Sequence, residues 1–303
     1  MISKNRLTVI ICTYNRKDLL KECLNSLTRQ KRKDFDTLVI NNNCTDSTSE
    51  VVSQFADLLN IQEIFEENQG LSYARNTGYR EAQTEWVAYL DDDAKAKEDW
   101  IERIYTTIKT QSFEGFGGVY LPWYLYGKPK WYKDRYASNS HFFKKKGIHA
   151  LSGIQFISGG NAIFRRDILL ESSGFPLELG MSGNELKYGE EIILQRELIN
   201  KGYSLGVNTE LIIYHLVPKY KLNVSFFLES YKRKGSVYFS HRNNAPFRVI
   251  SFIIQGLLSV SFVLLKSTLL FLARNDYYLE NWKIDTLTKF YFYIHAIKGY
   301  QEK

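Results

Sequence analysis

The sequence predicts an α/β fold with a mostly parallel sheet, because strand-like and helix-like patterns alternate through its first half. "LTVIICTY" (residues 7–14) and "EWVAYL" (residues 85–90) are nearly continuous apolar runs, as strands buried on both faces should be. After the first of them, "RKDLLKECLNSLTRQ" places its leucines on one face of a helix. Strands separated by helices at this spacing pair in parallel, with helices covering the sheet.

The elements between these two strands continue the alternation. Residues 36–43 and 61–67 are predicted as strands, and residues 47–59 and 70–83 as helices. Ligands on such sheets bind beyond the carboxyl ends of the strands. The polar residues that follow each strand are therefore the first place to look for a functional site.

Composition narrows the class of protein. The chain has 303 residues, of which 44% are hydrophobic and 24% charged, so a folded core is expected and global disorder is not. The formal net charge of +7 favours anionic partners such as nucleotides or phospholipid head groups, with nucleic acid as a weaker alternative. Three scattered cysteines do not make a disulfide framework or a zinc site, and we expect reduced thiols in a cytoplasmic protein.

Three adjacent aspartates, Asp91, Asp92 and Asp93, end the strand at residues 85–90. Carboxylates this close repel one another, and a divalent cation bound to a diphosphate would relieve the repulsion. Oxygen ligands of this kind suit Mg²⁺ or Mn²⁺. The alternative is a solvated acidic turn in which Asp93 caps a helix over "KAKEDWIERIYTTI".

Six motifs in one order provide a more specific signal. They are "TVIICTYNR", "NNNCTDST", "ENQGLSYARNTGYREA", "WVAYLDDDA", "FISGGNAIFRR" and "YGEEIILQRELINKGYSLG". Together they resemble family 2 glycosyltransferases with the GT-A fold, a Rossmann-like fold that binds nucleotide sugars. The resemblance implies an inverting, metal-dependent enzyme that moves a sugar from a nucleotide sugar to a saccharide, which is free or lipid-linked, in cell-surface glycan biosynthesis.

The resemblance also implies a nucleotide-sugar site spread over the strand ends. Residues matching the family's base, ribose and phosphate contacts are Thr13, Tyr14, Asn15, Arg16, Asn41, Gly70, Arg75 and Asn76. Asp46 follows the second strand, where a turn role and a ligand role are equally expected. The family usually has Asp where Asn41 stands; we expect a UDP-sugar, because an amide still pairs with a uracil edge.

The metal and the general base are implied in the same way. Asp91 and Asp93 match the family's Asp-x-Asp pair, with Asp93 as the direct metal ligand, Asp91 reaching the ribose and the metal, and Asp92 beside them in the donor site. His215, at the end of a later strand, is a further ligand candidate. Glu191 matches the general base, with Glu190 in support, although the family usually reads Glu-Asp there.

Acceptor contacts are expected from two places. Gly159 and Gly160 would allow the backbone to approach the sugar and the acceptor closely. The segment 120–147 is rich in Trp, Tyr and Lys and is predicted to be an acceptor loop, in which Trp123 and Trp131 stack on sugars.

The C-terminal part is different in character. Residues 249–265 contain no charge, yet Arg248, Ser251, Gln255, Ser259 and Lys266 fall on one helical stripe. This pattern favours a helix lying in the plane of the membrane interface, or a re-entrant pair of helices, over a single span or a soluble packing helix. A homodimer through the C-terminal helices is a further alternative.

The resulting domain division has a glycosyltransferase domain at residues 1–220 and a helical extension at residues 221–303. The first comprises a nucleotide-sugar half (1–115) and an acceptor half (116–220). We expect the protein in the cytoplasm, peripherally attached to the inner face of the cell membrane.

Three other functions compete with this interpretation. Transfer to a polyprenyl phosphate would need no strong base and would rely on the lysines of residues 120–147. Nucleotidyl transfer would require a glycine-rich phosphate loop after the first strand, but "CTYNRKDLL" has no glycine. Nucleic-acid binding is suggested by net charge alone, and the acidic Asp91–Asp93 rim argues against it; no nucleic acid is expected as a partner.

Overall fold

A computed structural model describes residues 6–152, 155–181, 189–236, 238–239 and 246–301. The chain forms two compact units. Unit 1 contains Met1–Trp123 and Ala137–Leu216, and unit 2 contains Tyr124–Tyr136 and Val217–Lys303. The motifs of the sequence, from the first strand to the histidine at position 215, all fall in unit 1.

Unit 1 contains the sheet and its covering helices. The strands are β1 (Leu7–Thr13), β2 (Asp36–Asn41), β3 (Ile61–Phe65), β4 (Trp86–Leu90), β5 (Ala94–Ala96), β6 (Gly115–Trp123), β7 (Ile148–Ala150), β8 (Asn161–Arg165) and β9 (Leu205–Leu216). The helices are α1 (Lys17–Thr28), α2 (Thr48–Ser53), α3 (Leu71–Glu81), α4 (Trp100–Thr110), α5 (Arg166–Leu170) and α6 (Glu190–Asn200).

The strands join in the order β3-β2-β1-β4-β8-β6-β9-β5, and β7 also pairs with β9. The strands β3, β2, β1 and β4 are mutually parallel, as the sequence predicts. Strand β8 then runs antiparallel to both β4 and β6, so the sheet is mixed rather than mostly parallel. The carboxyl ends of β1, β2 and β4 therefore meet at one edge of the sheet.

Alternation along the strands divides the core of unit 1 between two faces. Val9 and Ile11 pack with Leu20 and Leu24 of α1 on one face. Ile10 packs on the other face with residues of α3, α5 and α6. Helices on both faces confirm the predicted α/β class, since each strand of the parallel part buries both of its sides.

The alternative considered for Asp93, that it caps a helix over residues 95–108, is wrong. Residues 94–96 form strand β5, and the following helix α4 begins only at Trp100. Ala94 pairs with His215 of β9, and this tertiary pairing overrides the local helical pattern. Asp93 therefore does not cap a helix; Asp99 directly precedes α4.

Unit 2 consists of helices α7 (Val224–Ser236), α8 (Pro246–Ala273) and α9 (Leu279–Gln301), together with the segment Tyr124–Tyr136. The Asn281 amide donates to the backbone carbonyl of Trp131 at 2.7 Å, and Tyr132 is buried. These contacts join the segment to the C-terminal helices, although it lies some 150 residues earlier in the chain.

Helix α8 packs against α9 along one narrow stripe. Val249 and Phe252 are buried, and the ring of Phe252 lies 4.9 Å from that of Tyr293. A Cβ on Gly256 would lie 2.7 Å from the Tyr293 ring, so glycine permits this close approach. The opposite side of α8 exposes a row of large apolar residues: Ile250, Ile254, Leu257, Leu258, Phe262, Leu265, Leu269 and Leu272.

Candidate active site

The carboxyl ends of β1 and β4 and the end of β9 bring the acidic triplet beside a histidine. Asp91, Asp93 and His215 offer ligand atoms that all lie within 4.8 Å of one another. The His215 Nε2 atom is 3.2 Å from Asp93 and 3.6 Å from Asp91. Among the described residues this is the one group of such side chains with a spacing suited to a metal ion.

The orientation of His215 fits metal binding. Its Nδ1 atom lies 3.1 Å from the backbone carbonyl of Leu216, so Nδ1–H can donate there while Nε2 faces the carboxylates and can bind a cation once it has lost its proton. Burial opposes protonation, but Asp93 and Asp91 outweigh it and raise the pKa of His215 to about 9. Two carboxylates and one imidazole are a donor set that suits Mn²⁺.

The carboxylates differ in their surroundings. Burial works against the charge of Asp91, but His215 and Arg75 overcome it and lower the pKa of Asp91 to about 2. At Asp92 burial is the stronger effect. It raises the pKa of Asp92 to about 7, although the guanidinium of Arg16 acts to lower this pKa. Asp92 therefore takes up a proton more readily than Asp91.

Asp92 connects the triplet to the end of β1. The Thr13 hydroxyl donates to Asp92 at 2.8 Å, and Arg16 lies 3.2 Å from Asp92 and 3.4 Å from Asp93. The predicted donor residues Thr13 and Arg16 thus contact the aspartates directly. Arg16 remains about 41% exposed in its side chain, so it can also reach an anionic ligand.

Arg75 joins the acidic triplet to the glutamate pair that begins α6. Its buried guanidinium lies 2.7 Å from Glu190 and 3.4 Å from Asp91. Burial disfavours its charge, but Asp91 and Glu190 raise the pKa of Arg75 above its ordinary value. Arg75 is thereby held between two acids by ion pairs on both sides.

Glu190 and Glu191 begin α6 in different environments. Glu190 is buried and paired with Arg75, whereas Glu191 is partly exposed. Burial and the charge of Glu190 raise the pKa of Glu191 to about 7. A carboxylate with this pKa can accept a proton near neutral pH.

Steric contacts explain why glycines occupy the two positions before β8. A Cβ at Gly159 would lie 2.6 Å from the Arg75 guanidinium, and one at Gly160 would lie 2.0 Å from Asp91. The side chains of Arg75 and Asp91 occupy the space that a side chain at these positions would fill. The glycines therefore allow Arg75 and Asp91 to pack against the start of β8. We call Asp91, Asp92, Asp93 and His215 together the acidic cluster.

A second set of predicted residues lies in two adjacent loops, one between β1 and α1 and the other between β2 and α2. Asn15 has a left-handed backbone (φ 51°), and its side-chain oxygen accepts from the backbone N–H of Thr45 at 2.7 Å. Asp46 accepts from the backbone N–H of Lys17 at the start of α1, at 3.1 Å. Both side chains hold the two loops together. The neighbouring Tyr14 is about 37% exposed beside them.

Asn41 lies at the end of β2 and contacts a carboxylate that sequence reasoning missed. Its Nδ2 donates to Glu63 at 2.7 Å, and its Oδ1 accepts from the backbone N–H of Cys44 at 2.8 Å. Ser49 also donates to Glu63. The Asn41 amide thus lies beside a carboxylate contributed by β3.

Asn42 is a further residue that the sequence analysis did not single out. Its side chain accepts from the backbone N–H of Gly70 and donates to the carbonyl of Asn68. It fixes the loop before α3, where Gly70 has φ 149°. Its signal in the sequence was its place directly after Asn41 at a strand end.

Three predicted residues lie outside the acidic cluster. The Asn76 amide is occupied by the backbone N–H and C=O of Phe175. The ring of Trp123, in unit 1, stacks under the ammonium of Lys95 at 3.8 Å. Trp131 belongs to unit 2, where its ring packs 5.4 Å from that of Tyr132.

Comparison with protein-family models gives a match to the family described as glycosyl transferase family 2, over residues 8–172. This span contains β1 to β8 and the aspartate triplet. Glycosyltransferase AglE of Haloferax volcanii is 28% identical over 212 residues. The match covers 69% of this chain and 66% of AglE, slightly under two thirds of that protein's length.

Solved structures with the same fold were also found. The mannosyltransferase PcManGT from Pyrobaculum calidifontis, in complex with GDP-Man and Mn²⁺, has a TM-score of 0.60 at 18% identity, covering 98% of this chain and 88% of that one. TarS 1–349 of S. aureus in complex with UDP-GlcNAc has a TM-score of 0.57 at 17% identity, with 98% and 92% covered. At these identities the likeness concerns the fold alone.

Proposed function

Since the chain belongs to glycosyl transferase family 2, a family of glycosyltransferases, we propose that it transfers a sugar from a nucleoside-diphosphate sugar to a saccharide with inversion at the anomeric carbon. The observation that carries the proposal is the cluster of Asp91, Asp93 and His215 at the strand ends, joined through Arg75 to Glu190 beside Glu191. This arrangement supports a cation site and a proton acceptor at one part of the sheet edge.

The donor end of the site is built from Asp91, Asp93 and His215, which would hold a divalent cation, Mn²⁺ or Mg²⁺. Such a cation neutralises charge that grows on a departing nucleoside diphosphate. Arg16 lies at the same carboxylates and, with its exposed guanidinium, binds a diphosphate oxygen. Thr13, Tyr14, Asn15 and Asn41 line the neighbouring loops, where the nucleoside binds.

At the acceptor end, Glu191 acts as the general base. Its carboxylate takes the proton of an acceptor hydroxyl as the hydroxyl oxygen bonds to the anomeric carbon and the bond to the diphosphate breaks. Glu190 is a positioning residue that raises the pKa of Glu191 and is itself held by Arg75. Attack opposite the leaving group inverts the anomeric centre.

UDP-sugars are the first donors to test, and UDP-GlcNAc is among them because one of the solved structures binds it. GDP-Man, which another solved structure binds, completes a short panel. We would measure release of nucleoside diphosphate from each donor with and without Mn²⁺, for the wild type and Asp93→Asn. Metal-dependent release from one donor, lost in the variant, supports the proposal. No release from any donor with any metal and any saccharide acceptor would overturn it.

Transfer to a polyprenyl phosphate is the second candidate, favoured by the exposed apolar face of α8. A phosphate acceptor is already ionised and needs no base. Glu191→Gln separates the two candidates, because it abolishes transfer to a saccharide hydroxyl while donor binding persists. Retained turnover of Glu191→Gln with a polyprenyl phosphate would favour the second candidate.

We also propose that α8 attaches the protein to the cytoplasmic face of the membrane without crossing it. The helix is apolar enough by length and composition to span, since the stretch within Arg248–Ala273 has a mean hydropathy of 2.0, and most of this stretch is exposed. One of its sides packs on α9, and the polar residues Arg248, Ser251 and Gln255 mark another, while the apolar side is exposed. A helix with these three sides fits the interfacial plane.

Flotation with anionic lipid vesicles tests the attachment. Leu257→Glu with Leu265→Glu places two charges on the exposed apolar side and should abolish flotation, whereas Ser251→Glu with Gln255→Glu on the polar stripe should reduce it far less. Alkaline carbonate should release the wild type from membranes. Resistance to carbonate would indicate a span, and concentration-dependent dimers without lipid binding would indicate that the apolar side is a homodimer contact.

A further inference from the structure

A cavity lies at the edge of the sheet in unit 1, lined from the C-terminal end of α1, from β5 and the residues after it, and from Tyr214 of β9. It has a volume of about 570 Å³. Lys95 pairs with Tyr214 across the two strands, and Ala94 pairs with His215. Because neighbouring residues of a strand point to opposite faces, Lys95 and Tyr214 lie on the face away from His215. We call this cavity the basic cavity; its lining does not include Asp91, Asp93 or His215.

The lining of the basic cavity has an excess of positive charge. Its cationic residues are Arg29, Lys31, Lys95 and Lys97, and its acidic residues are Glu98 and Asp99. Asp99 is already paired with Lys97 and Arg103. Among the described residues, Arg29 and Lys31 have no acidic partner. A concave wall with unbalanced charge of one sign concentrates ligands of the opposite sign.

One aromatic residue, Tyr214, lines the cavity, and Trp123 contacts its Lys95. The ammonium of Lys95 lies 2.6 Å from Glu22 and 3.8 Å above the ring of Trp123, so it is held in one place. Tyr214 leaves about 38% of its surface exposed beside it. An exposed tyrosine offers an apolar face to the C–H groups of a sugar and a hydroxyl to its oxygens.

The basic cavity is also close in sequence to the predicted metal ligands. Lys95 follows Asp93 by two residues, and Tyr214 precedes His215. The backbone N–H of Ala94 donates to the carbonyl of Asp91, and that of Leu216 to the carbonyl of Asp93. A ligand in the cavity would therefore brace the strands that hold Asp93 and His215.

We propose that the basic cavity binds an acidic saccharide, meaning a sugar unit that bears a carboxylate or a phosphate group. Arg29 and Lys31 contact the anionic group, and Tyr214 packs against the sugar. The inference rests on the proposed function only in taking this saccharide to be part of the glycan on which the enzyme acts. Binding itself requires no donor and no metal.

The test is calorimetric titration of the full chain with tetragalacturonic acid, maltotetraose and inorganic phosphate. The wild type should bind tetragalacturonic acid at least about tenfold more tightly than either other probe, and added salt should weaken the binding. Arg29→Ala with Lys31→Ala should weaken it by about tenfold or more. The matched control, Lys21→Ala with Arg196→Ala, removes two exposed cations outside the cavity and should change nothing.

Three results would overturn the proposal. They are equal affinity for the neutral tetrasaccharide, phosphate binding as tight as that of the tetrasaccharide acid, and unchanged affinity in the Arg29/Lys31 double variant. Donor turnover is measured in parallel to keep this test separate from that of the proposed function. A wild type that binds the acidic tetrasaccharide but turns over no donor contradicts the proposed function and leaves the cavity assignment standing.

Discussion

The guanidinium of Arg75 lies 2.7 Å from the carboxylate of Glu190 and is almost completely buried with it. Arg75 is on α3, and Glu190 begins α6, more than a hundred residues later. This one ion pair connects the helix after β3 to the helix that carries the proposed base, and the second contact of Arg75, to Asp91, extends the connection to the metal ligands.

Breaking this pair should destabilise the protein. Arg75→Met leaves Glu190 buried without its cation, and we expect the free energy of unfolding to fall by about 3 kcal/mol. Arg75→Met with Glu190→Gln should recover part of the loss, because no buried charge of that pair remains. Urea denaturation of the single and double variants measures the coupling. The control Arg274→Met breaks the exposed pair of Arg274 with Asp276 and should leave the urea midpoint unchanged. An equal fall of the midpoint in both single variants would contradict the claim that the buried Arg75–Glu190 pair stabilises the fold.

Gly160→Ala should impair metal binding. The added Cβ would lie 2.0 Å from the Asp91 carboxylate, so either Asp91 or the start of β8 must move. We expect Mn²⁺ affinity, measured by electron paramagnetic resonance of free Mn²⁺, to fall by about tenfold or more, comparable to about 1.4 kcal/mol. Gly256→Ala serves as the control, since its Cβ would lie 2.7 Å from the ring of Tyr293 on α9 and so adds a comparable clash away from the aspartates. Equal affinities of the two variants would argue against Asp91 as a ligand.

The rate of transfer should depend on the ionisation of Glu191. Its pKa is raised from 4.5 to about 7, so the carboxyl is protonated below that pH and cannot accept a proton. The rate at saturating substrate should fall by about tenfold per pH unit below 7. Glu190→Gln removes the neighbouring charge and should move this limb of the profile to lower pH. A limb that stays in place in Glu190→Gln, or persists in Glu191→Gln, would exclude Glu191 as the titrating base.

Asn41 and Glu63 should behave as a matched pair. Asn41→Asp places a second carboxylate 2.7 Å from the first, where like charges repel, and should lower stability by about 1 kcal/mol. Asn41→Asp with Glu63→Gln restores one charge and one amide and should recover the loss. Thermal unfolding of both variants measures this. If the double variant is no more stable than Asn41→Asp, the two positions are independent.

The parts of the fold that local periodicity encodes were predictable. The strands up to β4 and the helices α1 and α3 follow from apolar runs and helical spacing, and the structure confirms them to within a few residues. The second helix was predicted over residues 47–59, but α2 ends at Ser53. Strand β5 was not predictable, because three residues acquire their conformation from pairing with β9. The placement of Tyr124–Tyr136 with the C-terminal helices likewise depends on contacts such as that between Trp131 and Asn281, which no local pattern records.

The candidate site divides in the same way. Asp91, Asp93 and His215 each stand at a strand end, and strand-end position was the signal that selected them. Glu63 was missed because it lies within a strand and resembles an ordinary partly exposed residue. The substitution of Asn for the usual Asp at position 41 was the available signal, and its explanation required the distance between the two side chains.

The central claim is that Asp91, Asp93 and His215 hold a divalent cation to which the diphosphate of the donor binds. The most direct measurement is Mn²⁺ binding, followed by electron paramagnetic resonance, with and without UDP and GDP, for the wild type, Asp93→Asn and His215→Ala. One Mn²⁺ per chain, bound at least about tenfold more tightly with the correct nucleotide and lost in both variants, is the predicted result. Mn²⁺ affinity that neither nucleotide changes, or that both variants retain, would contradict the claim.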